Sequence, residues 1–387
     1  MSAEAPPLTT QLEVSTPSRR HEPALDGVRG IAIGLVLIHH FALPVITTSS
    51  PLLNAVMTTF RAGWIGVDLF FVLSGYLITG ILLDTRSEPA FFQKFYARRV
   101  LRIMPLYYGI LLALAILTLP LHLNWHGWAP LYFTYTANLH YSQPIPPEGV
   151  VGPFSLGHFW SLQVEEQFYL VWPFLVFFIR SWKKLVGIAA AFCLFALALR
   201  CYFIFFRPEL YHSLGPYAFT PCRCDGLLIG ATLAIFTRSR YRGLLPRLAL
   251  PVFIACAGIM IIAGVMIGSL PYAGNGFVPT LGFSLLALTG ASLIVLAQQG
   301  GILGWFCKLP MMRWLGRYSY GLYVFNSPIH IFLLPRIWER LTRVTGNSPL
   351  SYCIAGIVIL AASALTAWLS FHLYEKHFLR LKRYFNY

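Results

Sequence analysis

The chain has 387 residues, of which 57% are hydrophobic, 16% aromatic and only 11% charged, with a net charge of +15 and a mean hydropathy of +0.64. A soluble domain carries about 25% charged residues, so this composition excludes a soluble globular fold and predicts an all-α polytopic membrane protein. The positive charge does not point to nucleic acid, because no basic, aromatic-interleaved domain stands outside the apolar runs.

Residues 1–24 are polar and Pro-rich and read as a disordered cytoplasmic tail with no cleavable signal peptide. Ten apolar runs of spanning length follow, near 31–48, 65–83, 104–121, 162–179, 185–205, 222–237, 249–268, 279–298, 319–335 and 352–373. They form one transmembrane domain over 25–380, and 381–387 is a short cytoplasmic tail. The first span carries Arg29 and His40, eleven positions apart. At about 100° per residue they share a helix face, about 16 Å apart along the axis. With Arg29 at one surface of a hydrocarbon layer about 30 Å thick, His40 lies near the midplane. A titratable imidazole at that depth is costly and marks a functional site. His39 points about 80° away.

Asp68 opens the second span, and Asp225 opens the sixth. The stretch Phe95–Tyr108 leads into the third span and carries Arg98, Arg99 and Arg102. Arg99 and Arg102 are i, i+3; Arg98 and Arg102 are i, i+4. Paired guanidiniums suit phosphate, although ordinary contact with lipid headgroups explains the same spacing. The segment 122–157 is rich in Trp, Tyr, His and Pro, with no Lys or Arg. With the loop at 206–221, it suits either sugar stacking or an interfacial aromatic belt. In the fourth span Ser161, Glu165 and Tyr169 are spaced i, i+4, i+8 and form one polar stripe, with Glu166 about 100° round. Cys222-Arg-Cys224 lacks a second ligand pair, so no metal site is expected.

With both termini cytoplasmic, 22 of the 29 Lys and Arg fall on the inner side. The remainder, Arg61, Arg200, Arg207, Arg223, Arg336, Arg340 and Arg343, fall outside. That asymmetry fits an even number of spans and a multi-pass protein of the cell inner (cytoplasmic) membrane. A phosphorylated donor at Arg99 and Arg102 would need a long flexible arm to reach His40. The pantetheine chain of an acyl-CoA has that reach.

Taken in order, these motifs resemble the acyltransferase-3 family of membrane O-acyltransferases. The resemblance runs from about Leu25 to Phe378. It rests on Leu-Asp-Gly-Val-Arg29 followed by His40, Gly-Val-Asp68-Leu-Phe-Phe-Val-Leu-Ser-Gly75 and Arg99-Val-Leu-Arg102. It continues through Ser161-Leu-Gln-Val-Glu165-Glu-Gln-Phe-Tyr169, Arg223-Cys-Asp225-Gly, Leu315-Gly-Arg-Tyr-Ser319-Tyr-Gly-Leu-Tyr323 and Tyr374-Glu375-Lys. The resemblance implies ten helices with cytoplasmic termini, an acyl-CoA donor (often acetyl-CoA) as co-substrate, and a carbohydrate or glycosylated acceptor at the bilayer. It makes Arg29 and His40 essential and ties Arg99 and Arg102 to the donor. No tightly bound cofactor is expected, and a homo-oligomer is compatible with it. Members commonly place a His where this chain has Asn326, with His330 one turn on; neither is assigned to the catalytic set. Many relatives add an extracytoplasmic hydrolase-like domain, which is not expected to be needed in cis here.

The expected chemistry uses His40 as general base on the acceptor hydroxyl, with Glu165 or Asp68 orienting its ring. Ser161 or Tyr169 would stabilise the oxyanion or hold the sugar. An acyl-His relay stays open beside direct transfer. Arg29 would fix the donor or hold Asp26 at i−3, and Arg98 would join Arg99 and Arg102 at the donor. The rival function is a proton-coupled transporter or flippase, which uses intramembrane His and carboxylates equally well but usually shows internal repeats; none is visible.

Overall fold

The computed structural model describes residues 22–42, 51–140, 151, 156–207, 215–267 and 276–386. Most of the expected N-terminal tail lies outside these residues. So do 141–150 and 152–155 of the aromatic segment and 208–214 of the second loop. Among the described residues there is no β-strand element and there are ten long helices: α1 (Pro23–Ala42), α2 (Gly66–Thr85), α3 (Phe91–Ile116), α4 (Trp160–Phe178), α5 (Trp182–Phe206), α6 (Thr220–Thr237), α7 (Leu245–Ile267), α8 (Phe283–Gln299), α9 (Pro310–Thr345) and α10 (Ser348–Ser370). Each overlaps one of the ten apolar runs.

Three helices begin well before their apolar runs. Helix α1 starts at Pro23, whose fixed φ suits a first helical position, with Asp26 in the first turn. Helix α3 takes in the basic stretch Phe91–Arg102. Helix α9 reaches 36 residues. A hydropathy pattern stops at the first charges, whereas the early turns of α1 and α3 continue as helix and line a cavity.

Eight helices are long and apolar enough to cross a membrane by length and composition. The other two are α4 and α9, which carry Glu165, Glu166, Asn326 and His330. Helices α5 and α7 are mostly exposed, and their exposed residues include Phe192, Leu194, Phe195, Ile254, Ile261, Ile262 and Val265. A surface of that kind belongs in hydrocarbon. The chain is a polytopic membrane protein.

Helix α1 lies between α9 and α2; α2 also packs on α6, α8 and α4; α9 packs on α10. Small residues allow the tight crossings. A Cβ on Gly75 of α2 would stand 1.9 Å from the Leu227 carbonyl oxygen of α6, and one on Gly230 of α6 would stand 2.0 Å from the Val72 carbonyl oxygen of α2. Each helix thus supplies a glycine where the other's backbone presses.

Two arginines assigned to the outer side by charge counting are buried between helices. Arg223 of α6, 1% exposed, donates to Asp68 of α2 at 2.7 Å. Arg200 of α5, fully buried, pairs with Asp225 of α6 at 2.9 Å and donates to Ser284 of α8 at 2.8 Å. The Arg223 guanidinium lies 3.6 Å from the Phe283 ring centroid, with Phe71, Trp160 and Tyr217 also around it. A charge in this setting is tolerable only with its partner.

Arg223→Met should therefore destabilise the protein by about 3–5 kcal/mol, whereas the double replacement Asp68→Leu with Arg223→Met should recover most of that loss. Thermal unfolding in detergent checks both; a double variant no more stable than the single one would contradict the pairing.

Candidate active site

A cavity of about 920 Å³ opens at the end of the bundle where α1, α3, α7 and α9 begin. Its mouth gathers Glu22, Asp84, Arg98, Arg102, Arg238, Arg242, Gln298 and Lys382. These residues come from six separate chain segments. That brings the basic helix ends together, as alternating spans require.

The acids at the mouth are mostly engaged. Asp84 accepts two bonds from Arg238, at 2.7 and 2.8 Å. Glu22 accepts from Gln298 at 2.5 Å. Asp26 pairs with Arg29 at 3.3 Å, one turn apart on α1. Arg102 and Lys382 make no side-chain hydrogen bond or ion pair among the described residues. The cavity is accordingly cationic and suited to an anion such as a phosphate.

Further in, the cavity wall includes Arg99, Glu165, Ser74, Ser161 and Tyr323. Arg99 sits about 12 Å along α3 from Phe91 and turns inward. Its guanidinium carbon lies 3.9 Å from the Tyr169 ring centroid. Its nitrogens stand 3.9 Å from Glu165 and 3.8 Å from Glu166. Tyr169 donates to Glu165 at 2.9 Å, and its hydroxyl also hydrogen-bonds Ser74 of α2. The expected polar stripe on α4 is thus a network spanning α2, α3 and α4. Ser161, at its upper end, hydrogen-bonds Tyr323 of α9 at 2.6 Å. Tyr323 in turn donates to the His158 carbonyl at 2.7 Å.

His40 is not among the residues lining the cavity. It is half-buried against α9 rather than facing open lipid. Its Nδ1 is 2.7 Å from Asn326 Oδ1, and its ring stacks on His330 with centroids 6.2 Å apart. His158 is close enough for its charge to act on His40. The other end of the Asn326 amide donates to Ser363 of α10 at 3.3 Å. That sets the amide oxygen toward the imidazole, so Nδ1 carries the proton and Nε2 is the basic nitrogen. His39 instead bonds the Arg61 carbonyl at 2.6 Å, as the angular offset requires.

The structure separates several residues that the sequence groups together. Neither Asp68 nor Glu165 orients His40. Asp68 is committed to Arg223, because a buried carboxylate takes the cation that the neighbouring helix presents. Glu165 is held by Tyr169 and Arg99. The orienting group is a neutral amide, Asn326, which the sequence left unassigned. Tyr169 is buried below the cavity wall, where it serves Glu165 and Arg99 rather than an oxyanion. Arg98 spends its guanidinium on the C-terminal turn, at the carbonyls of Lys382 and Phe385, both 3.3 Å, and at Asn386 Oδ1, 3.2 Å. Ser74, Tyr323 and Lys382 went unassigned. The first two sit inside recognised motifs, but their pairing across helices has no sequence signal. Lys382 reads as an ordinary tail charge.

A bundle of ten long helices, most of them apolar enough to span a membrane, with a basic cavity at one end defines a polytopic membrane protein. Residues 22–368 match the Acyltransferase domain family, and the chain belongs to it. It is 28% identical over 353 residues to the peptidoglycan O-acetyltransferase OatA of Listeria monocytogenes, covering 85% of this chain and 54% of that one. It is 29% identical over 381 residues to the putative peptidoglycan O-acetyltransferase YrhL of Bacillus subtilis, covering 93% and 55%. It is 26% identical over 364 residues to the O-acetyltransferase OatA of Staphylococcus aureus, covering 90% and 56%. The chain spans about half the length of these relatives. No solved structure matches it.

The Tyr169 hydroxyl makes two contacts from one atom. Tyr169→Phe should cost about 1–3 kcal/mol while keeping the ring beside Arg99. Ser74→Ala combined with it should be non-additive, with a coupling of about 0.5–3 kcal/mol in a thermal-stability double-mutant cycle. Simple additivity would contradict the network.

Proposed function

We propose that this protein is a membrane O-acyltransferase of the inner membrane, moving an acyl group from a cytoplasmic acyl-CoA, acetyl-CoA first, to a carbohydrate hydroxyl. The observation that carries this reading is the cationic cavity whose inner wall, at Ser161 and Tyr323, stands one helix turn from the Asn326 that holds His40. The names of the relatives, which are O-acetyltransferases acting on peptidoglycan in two of the three cases, support the acyl group and a sugar acceptor.

In this mechanism Arg29 and Arg102 hold the donor's phosphates at the mouth, as planar, permanently charged donors suit. The pantetheine arm runs inward along the cavity, past Ser74 and Glu165. The thioester carbonyl then meets the acceptor beside His40, which requires the Ser161–Tyr323 contact to open. The Nε2 atom of His40 takes the acceptor's hydroxyl proton while the oxygen bonds to the thioester carbon. The carbon–sulfur bond breaks, and the departing thiolate recovers the proton from the imidazolium. Asn326 keeps Nδ1 protonated throughout and adds no charge of its own. Direct transfer is the simpler scheme; an acyl-His relay would show as ping-pong kinetics.

His40→Ala should lower acetyl transfer from radiolabelled acetyl-CoA by about 10²–10⁴-fold and leave coenzyme A binding intact. Turnover near wild type would remove His40 from the chemistry. Arg102→Ala should raise the donor KM with little change in kcat; unchanged coenzyme A binding would return that arginine to the lipid headgroups.

A further inference from the structure

The C-terminal turn Leu381–Phe385 contributes to the cavity in a way its sequence does not announce. It is a 3₁₀ turn with exposed Arg383 and Tyr384. Lys382 alone in it lines the cavity, beside Arg29, Arg98, Arg99 and Arg102. Arg98 of α3 fixes the backbone of the turn through the Lys382 and Phe385 carbonyls and the Asn386 side chain. An arginine spent on carbonyls to hold a lysine among arginines works against Coulomb repulsion. The charges of Arg102, Arg98, Arg99 and Arg29 all act on Lys382. Glu375, the acid whose charge acts on Arg102, is occupied by Ser370 at 2.9 Å. Bringing like charges together at a partly desolvated site is unfavourable unless an anion joins them.

We propose that Lys382, held in place by Arg98, is a binding residue for a phosphate group in this cavity, together with Arg102. On the acyl-CoA reading, on which this assignment rests for its ligand, that phosphate belongs to the donor. Lysine suits the role as a mobile point charge with three donors. Arg98 then acts as a positioning residue, its guanidinium committed to the turn.

The test compares full-length wild type with Lys382→Met, Lys382→Arg and, as a control of equal charge loss, Arg383→Met, all in nanodiscs. Coenzyme A binding is measured by calorimetry, phosphatidylglycerol binding by native mass spectrometry, and transfer kinetics with acetyl-CoA. Lys382→Met should weaken coenzyme A binding about tenfold to a hundredfold and raise the donor KM with kcat unchanged. Lys382→Arg should restore binding, and Arg383→Met should leave it as in wild type. If wild type binds coenzyme A and Lys382→Met binds it as tightly as wild type or as Arg383→Met, the inference falls and the donor reading stands. If only phosphatidylglycerol binds, in a Lys382-dependent way, the phosphate site stands and the donor reading falls. If wild type binds neither, both fall.

Discussion

A charge inside a bilayer must have a partner or stay at the edge of water, and this chain satisfies that constraint in two different ways. Toward the ends of α2 and α6 distant from the cavity mouth, Asp68 with Arg223 and Asp225 with Arg200 form closed pairs, each acid matched by a buried guanidinium. Their cost is met by their partners and by the aromatic rings around Arg223. They join α2, α5, α6 and α8 to one another. At the other end the balance is broken. The cavity collects cations in excess of acids, and the acids it has are mostly engaged within the protein. The same physics that makes the first set structural leaves the second set with an excess of positive charge.

Between these regions stands the α4 network. Arg99 faces two carboxylates and an aromatic ring, and Tyr169 ties Glu165 to α2. This arrangement keeps three helices in register along the inner cavity wall. The Ser161–Tyr323 hydrogen bond joins that wall to α9, whose Asn326 holds His40 outside the cavity lining. An imidazole held by a neutral amide differs from one held by a carboxylate. The amide fixes the tautomer through one hydrogen bond and brings no negative charge to the ring.

All ten long helices overlap apolar runs of the sequence, and eight of them are apolar enough to span by length and composition; α4 and α9 carry the polar groups of the site and fall short. That His40 and His39 point in different directions followed from helical angles alone. Arg29 stood out by sharing a helix face with His40, and Arg98, Arg99 and Arg102 by their i, i+3 and i, i+4 spacing; all four line the cavity. What the sequence did not give was partnership. Asp68 and Glu165 looked like equal candidates to orient His40, since both are acids near helix starts. Asn326 looked like a substitution without a role, and Lys382 like one more tail charge.

The chain's own residues settled the membrane, the number of long helices and which polar groups had to be accommodated, since hydrophobicity and helical period are local properties that need no knowledge of neighbours. Which polar group meets which was decided only by the packed bundle. Asp68 reaches Arg223 across 155 positions, and His40 reaches Asn326 across 286; glycine-scale crossings such as Gly75 against Leu227 set such distances. A hydrogen bond depends on separations of tenths of an ångström between helices, and nothing in the order of residues along one helix encodes those.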